Sequence, residues 1–174
     1  GEKENFKDLD IEFFNIDCEN LEEMTKAMKG VDVLCHAASY AHEGLSSVSP
    51  TLIVRNNMMG SVATFTAAIK NNVKRIVFCS SMARYGAIPI PYRETDVPNP
   101  VDPYGVTKLA AENILKILSK TYEFEYNIAV PHNIIGPRQK YDDPFRNVAS
   151  IMINLILQKR RPIIYGSGEQ KRCF

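Results

Sequence analysis

Residues 75–131 read RIVFCSSMARYGAIPIPYRETDVPNPVDPYGVTKLAAENILKILSKTYEFEYNIAVP. The stretch opens on Arg75–Cys79, a short β-branched and aromatic run that is apolar on both faces, as a strand inside a parallel sheet should be. It closes on a second such run, Tyr126–Pro131. Between them, Asp102-Pro103 supplies an N-cap followed by proline at the first helical position. The pattern predicts a helix from there to about Tyr122, with Leu109, Ile114, Leu115 and Leu118 facing inward. Strand, helix and strand in that order predict one unit of a parallel α/β sheet.

Working outward, the same alternation continues towards the N-terminus. The runs Ile11–Ile16 and Val31–His36 predict two more strands. Asn20 with Glu23 three residues on predicts a capped helix start, and Gly30 stops that helix after Leu21, Met24, Ala27 and Met28 have formed its apolar face. Ser49-Pro50 opens a long helix to about Asn72. The order β-α-β-α-β-α-β reads as a doubly wound α/β fold with a parallel sheet.

The chemistry is expected in the 83–103 interval, where Pro89, Pro91, Pro98, Pro100 and Pro103 fall in one loop. A long loop without regular structure inside a compact domain is usually functional. This one lies at the carboxyl edge of the sheet, where open α/β sheets bind ligands. Tyr104 and Lys108 are four apart on the helix that follows, so they share a face. A tyrosine is a poor base at neutral pH, and a nearby ammonium favours its phenolate. The pair is a sensible acid/base unit, although eight tyrosines in the chain make the spacing alone an easy accident. Ser81 ends the strand on the same edge and can bond a substrate oxygen and relay a proton. It could equally be a strand-end hydroxyl that caps the loop.

Composition bounds the alternatives. The 174 residues are 45% hydrophobic and 24% charged, with a net charge of +1. A core can form, and Lys159-Arg160-Arg161 is the longest basic run, so neither nucleic acid nor an acidic membrane is expected as a partner. No apolar run approaches the roughly 20 residues of a membrane span. Cys18, Cys35, Cys79 and Cys173 show no CxxC and no His-paired spacing; with Cys35 and Cys79 inside apolar runs, they read as small buried hydrophobes in a reducing cytosol rather than as a disulfide or metal ligands. With no signal peptide, a cytoplasmic location is expected. Gly1 in place of Met and the stop at Cys173-Phe174 read as cut ends.

Six motifs occur in register: His36-Ala37-Ala38-Ser39, Asn57-Met58-Met59-Gly60, Ser80–Gly86, Asp102–Lys108, Pro131–Arg138 and Tyr165–Arg172. Together they resemble the extended short-chain dehydrogenase/reductases, most closely the UDP-glucose 4-epimerase-like nucleotide-sugar epimerases. The resemblance implies NAD as cofactor, a nucleotide sugar as substrate and C4 epimerisation through a transient 4-keto sugar. It implies Tyr104 as catalytic base, Lys108 as the residue that holds the nicotinamide ribose and tunes that base, and Ser81 as the partner of the sugar hydroxyl. It assigns Asn15 and Ile16 to the adenine side, Asn15 standing where the family usually has Asp. Ala37, Ala38 and Ser39 fall under the pyrophosphate and nicotinamide, and His132 beside the nicotinamide. Asn57 is either a cofactor-side residue or a helix-packing one. Asn133, Asn147 and Arg172 match positions around the sugar and diphosphate, and Ile163–Tyr165 the stretch against the base.

The resemblance also implies a partial dinucleotide-binding Rossmann domain over 1–131, lacking the first β-α-β unit and its Gly-rich turn. Residues 132–174 would begin the substrate lobe. The chain by itself is therefore expected to be inactive and to bind NAD poorly. Helices 50–72 and 103–122 would form a four-helix homodimer contact in the parent. Two rivals stay open: a 4,6-dehydratase or decarboxylase of the same fold, and a non-catalytic fragment. Dehydratase relatives place Asp-Glu directly after the hydroxyl residue, where this sequence has Met82-Ala83.

Overall fold

The computed structural model describes residues 3–142, 148–164 and 166–169. The chain divides into two compact units, residues 15–131 and the two terminal stretches 1–14 and 132–174.

The 15–131 unit is built on a three-stranded parallel sheet in the order β1-β2-β3, with β1 Val33–His36, β2 Arg75–Cys79 and β3 Glu125–Ala129. Leu34 lies opposite Ile76, and Ile76 opposite Tyr126. Pairing persists past the last strand, because the Met82 N–H donates to the Pro131 carbonyl. Five helices accompany the sheet: α1 Leu21–Ala27, α2 Glu43–Val48, α3 Pro50–Ile53, α4 Gly60–Lys70 and α5 Pro103–Tyr122. The α1 start is the predicted one, the Asn20 side chain accepting the Glu23 N–H at 3.2 Å. At α5, Asp102 Oδ1 accepts the Gly105 N–H at 2.8 Å, and Glu123 in the left-handed region ends the helix.

The predicted 50–72 helix is helical throughout 50–70 but not uniform. Val54–Met59 between α3 and α4 is a π-helical segment, and Ser49 makes no side-chain cap. Helix α2 carried no start signal in the sequence. The core lies where Ile76 and Phe78 of β2 meet Phe65, Ala67 and Ala68 of α4 and Ala111 and Leu115 of α5, all fully buried. Each large side chain there contributes about 1.5–3 kcal/mol by leaving water. Strand alternation sends the odd positions to the other face, where Val33 is 55% exposed, Cys35 exposed and Cys79 half-buried. Neither the strands nor these two thiols are buried as expected, because among the described residues no helix covers that face there.

The expected strand at Ile11–Ile16 does not form. A strand exists only as part of a ladder, and no described strand pairs with this run. It is also divided between the two units after Phe14. In the terminal unit the rings of Phe6 and Phe13 stack at 4.9 Å, and the Arg138 guanidinium donates to the Asn5 carbonyl. Helix α6, Val148–Leu157, belongs to this unit and buries no residue.

Candidate active site

Ser81 leaves β2 with an extended backbone and caps the short 3-10 turn Met82–Arg84, its Oγ accepting the Ala83 N–H at 3.2 Å. The capping role and a role towards Tyr104 coexist. Tyr104 stands in the first turn of α5, only 6% exposed, and Lys108 follows one turn later at 3%. Gly105 is what lets this turn close on Ser81: a Cβ there would lie 2.5 Å from the Ala83 carbonyl oxygen. Gly86, at φ +53, does the same at the far side of the turn, where a Cβ would lie 2.0 Å from the Asn99 oxygen.

The Lys108 Nζ donates to the Cys79 carbonyl at 2.8 Å. It sits 5.1 Å from the Phe78 ring centroid and 5.9 Å from that of Tyr104. Burial pushes the Lys108 ammonium down to about 8, against the opposing pull of Cys79 and Glu112. Burial also holds the Tyr104 phenol above its usual range, while the Ser81 and Ser39 hydroxyls pull it back down. The expected lowering of the phenol is not what burial leaves here: desolvation is the largest influence on Tyr104 and holds it up. Ser39 Oγ is buried without a partner of good hydrogen-bond geometry, yet near enough to Tyr104 to favour its phenolate.

Asn57 lies in the π-helical segment, fully buried. Its Oδ1 accepts the Tyr40 N–H at 2.8 Å and its Nδ2 donates to the Tyr40 carbonyl at 3.1 Å. It thus holds the end of the Ala37, Ala38 and Ser39 loop that leaves β1 at the same sheet edge as Ser81. π-Helical turns inside α-helices are frequent at functional sites. Asn15 and Ile16 lie in the stretch without regular structure before α1, and no described hydrogen bond joins them to the Tyr104 cluster. In the terminal unit, His132 Nε2 and Asn133 Nδ2 are 3.0 Å apart. Asn147, Tyr165 and Arg172 fall outside the described residues.

Sequence reasoning gave no role to two side chains here, His36 and Glu112. His36 is buried, stacked on Phe78 at 5.8 Å and bonded through Nε2 to Ser61 Oγ at 2.9 Å. Ser61 spends its hydrogen on the Asn57 carbonyl, so His36 Nε2 is the donor. Burial, then the Lys108 charge, lowers His36 to about 4, so it is neutral at pH 7. Glu112 is fully buried, accepts the Ser80 hydroxyl and faces Arg84 at 2.8 Å. The available signal was the 104/108/112 spacing, which puts a carboxylate on the same inward face as the Tyr-Lys pair.

A buried tyrosine with two serine hydroxyls and an ammonium near it is an arrangement able to do acid/base chemistry. A nicotinamide ribose fits these residues. Lys108 spends one of its three donors on Cys79, and Ser39 keeps an orphaned buried hydroxyl. A family model described as "NAD dependent epimerase/dehydratase family" matches residues 1–174. The chain belongs to this family.

Among epimerase/dehydratase relatives, a putative UDP-glucose 4-epimerase of Methanocaldococcus jannaschii is 32% identical over all of this chain and 57% of its own length. A UDP-N-acetylglucosamine 4-epimerase structure from Methanobrevibacter ruminantium, in complex with UDP-N-acetylmuramic acid, superposes with a TM-score of 0.86. It is 33% identical, over 91% of this chain and 51% of that one. A Thermus thermophilus UDP-glucose 4-epimerase in complex with NAD superposes at 0.85 with 27% identity, covering 92% and 52%. dTDP-D-glucose 4,6-dehydratases also stand among the relatives, at 25% and 29% identity for the Dictyostelium discoideum and Mus musculus proteins. The chain spans between 40% and 57% of the length of these relatives.

Proposed function

We propose that the complete protein epimerises a nucleotide sugar at C4, of the UDP-glucose or UDP-N-acetylglucosamine type. The observation that carries this reading is the closure of Ser81, Tyr104 and Lys108 around one buried phenol, with Met82-Ala83 next to Ser81. Ser81 holds the C4 hydroxyl, and Tyr104 takes its proton. The Lys108 ammonium keeps positive charge beside the phenolate and offers its remaining donors to the cofactor ribose. NAD, when bound, would accept the C4 hydride and return it to the opposite face of the keto sugar. Ser39 helps to hold the Tyr104 oxygen in place, and Asn57 fixes the loop that bears Ser39.

Under the same reading, residues 1–131 carry the cofactor side, with Asn15 and Ile16 towards the adenine, and His132 serves the nicotinamide. The segment from His132 onwards, with Asn133, Asn147 and Arg172, serves the sugar diphosphate. A homodimer would use the outer faces of the helical stretch 50–70 and of α5, where Leu52, Val54 and Met59, and Val106 and Ile117, are exposed.

The dehydratase relatives favour a second reading, elimination of water after C4 oxidation. That step needs a further acid and base beside the hydroxyl residue, and neither Met82 nor Ala83 can move a proton. Incubation with UDP-glucose, UDP-N-acetylglucosamine and dTDP-glucose separates the two. The expected products are 4-epimers of unchanged mass. A product lighter by one water as the main outcome would sink the epimerase reading.

A further inference from the structure

Glu112 is a fully buried carboxylate on α5, two turns beyond Tyr104 and one beyond Lys108, so the three share a face. Its Oε1 accepts the Ser80 hydroxyl. Its Oε2 lies 2.8 Å from Arg84 Nη1 and 3.7 Å from Lys116 Nζ. The Arg84 side chain is only 10% exposed, and its guanidinium covers the Tyr85 ring at 4.9 Å. The ion pair is close but poorly aligned: neither Glu112 Oε2 nor Arg84 Nε completes a hydrogen bond. Burying such a pair is a weak source of stability, because desolvation offsets most of the attraction. Its placement is more informative. Ser80 precedes Ser81, Arg84 follows it by three residues, and together they bracket the turn that presents Ser81.

We infer that Glu112 is a positioning residue of the site, its buried carboxylate clamping Ser80 and Arg84 to α5 and so setting the approach of Ser81 to Tyr104. The inference rests on the acid/base reading of that pair. The Lys108 bond to the Cys79 carbonyl and the Gly105–Ala83 approach act on the same turn, but neither reaches Ser80 or Arg84. Among the described residues, Glu112 alone holds both sides, through the helix that also carries the base.

The test is steady-state kinetics and melting of the complete protein as wild type, Glu112→Gln, Glu112→Gln/Arg84→Met and Ser80→Ala. Glu112→Gln should lower kcat about tenfold with KM within about twofold, as a small misplacement of reacting groups does. The double variant removes both buried charges. It should regain the wild-type melting temperature while kcat stays low. Recovery of kcat together with melting would overturn the inference, since the carboxylate would then only neutralise Arg84. Ser80→Ala keeps the ion pair and should lower kcat about threefold at unchanged melting temperature. Wild-type kcat in that variant would also count against the clamp. A wild type inactive on every nucleotide sugar would sink the functional reading instead. The Ser81 Oγ to Tyr104 Oη separation in a crystal structure of Glu112→Gln would then decide: a longer separation supports the clamp, and an unchanged one overturns it.

Discussion

Helices α5 and α6 invert each other. On α5 the inward face buries Tyr104, Lys108 and Glu112, three polar side chains that ordinarily sit in water. On α6 no residue is buried, and Ile153, Ile156 and Leu157 are all exposed. Polar groups kept from water at a cost have been placed for what they touch, here a phenol, a carbonyl and a strand-end turn. Apolar groups left in water gain nothing from the described surroundings. The first helix should therefore be sensitive to the loss of single atoms, and the second tolerant of whole side chains.

The largest effect should come from one oxygen on α5. In the complete protein, Tyr104→Phe is expected to lower kcat at least about 10²-fold with little change in substrate affinity, because it removes a proton-transfer group. Near-normal turnover at saturating substrate would end the assignment. Next in size is the packing beneath the site. Phe65→Ala should destabilise by about 3–5 kcal/mol in denaturant unfolding, from lost burial plus a cavity beside the fully buried Phe78 and its neighbours. A loss under about 1 kcal/mol would mean that the core collapses to fill the gap.

A moderate effect should appear with pH at Lys108. Its folded value of about 8 lies below its ordinary 10.5, so between those values the unfolded chain binds more protons. Stability from this residue should rise with pH across that window, while kcat falls as the ammonium is lost above about pH 8. Lys108→Met should flatten the stability slope relative to wild type over about pH 8–10. Parallel slopes for the two proteins would show that Lys108 is not depressed. The smallest effect belongs to α6, where Leu157→Ser should change stability by no more than about 0.5 kcal/mol. A larger loss, measured by the same unfolding, would reveal that this side chain is covered in the complete protein.

The Tyr104, Lys108 and Ser81 cluster was legible because each signal was local. Helix spacing joins the first two, and a strand end followed by a proline-rich loop offers the third. Residues 75–131 by themselves determined a strand, a capped helix and a parallel strand, since apolar periodicity, the Asp102-Pro103 cap and the loop prolines act within a few residues of where they stand. The family motifs followed in the same order along the chain. Tertiary structure alone decided what those elements meet. It left Ile11–Ile16 without a ladder partner, placed a π-helical turn at Asn57 to grip Tyr40, neutralised His36 by burial, and raised the Tyr104 phenol by burial. It also turned Glu112 from one more helix-surface acid into a clamp. Pairing and desolvation depend on residues tens of positions away, and spacing along a chain carries no record of them until the chain has folded.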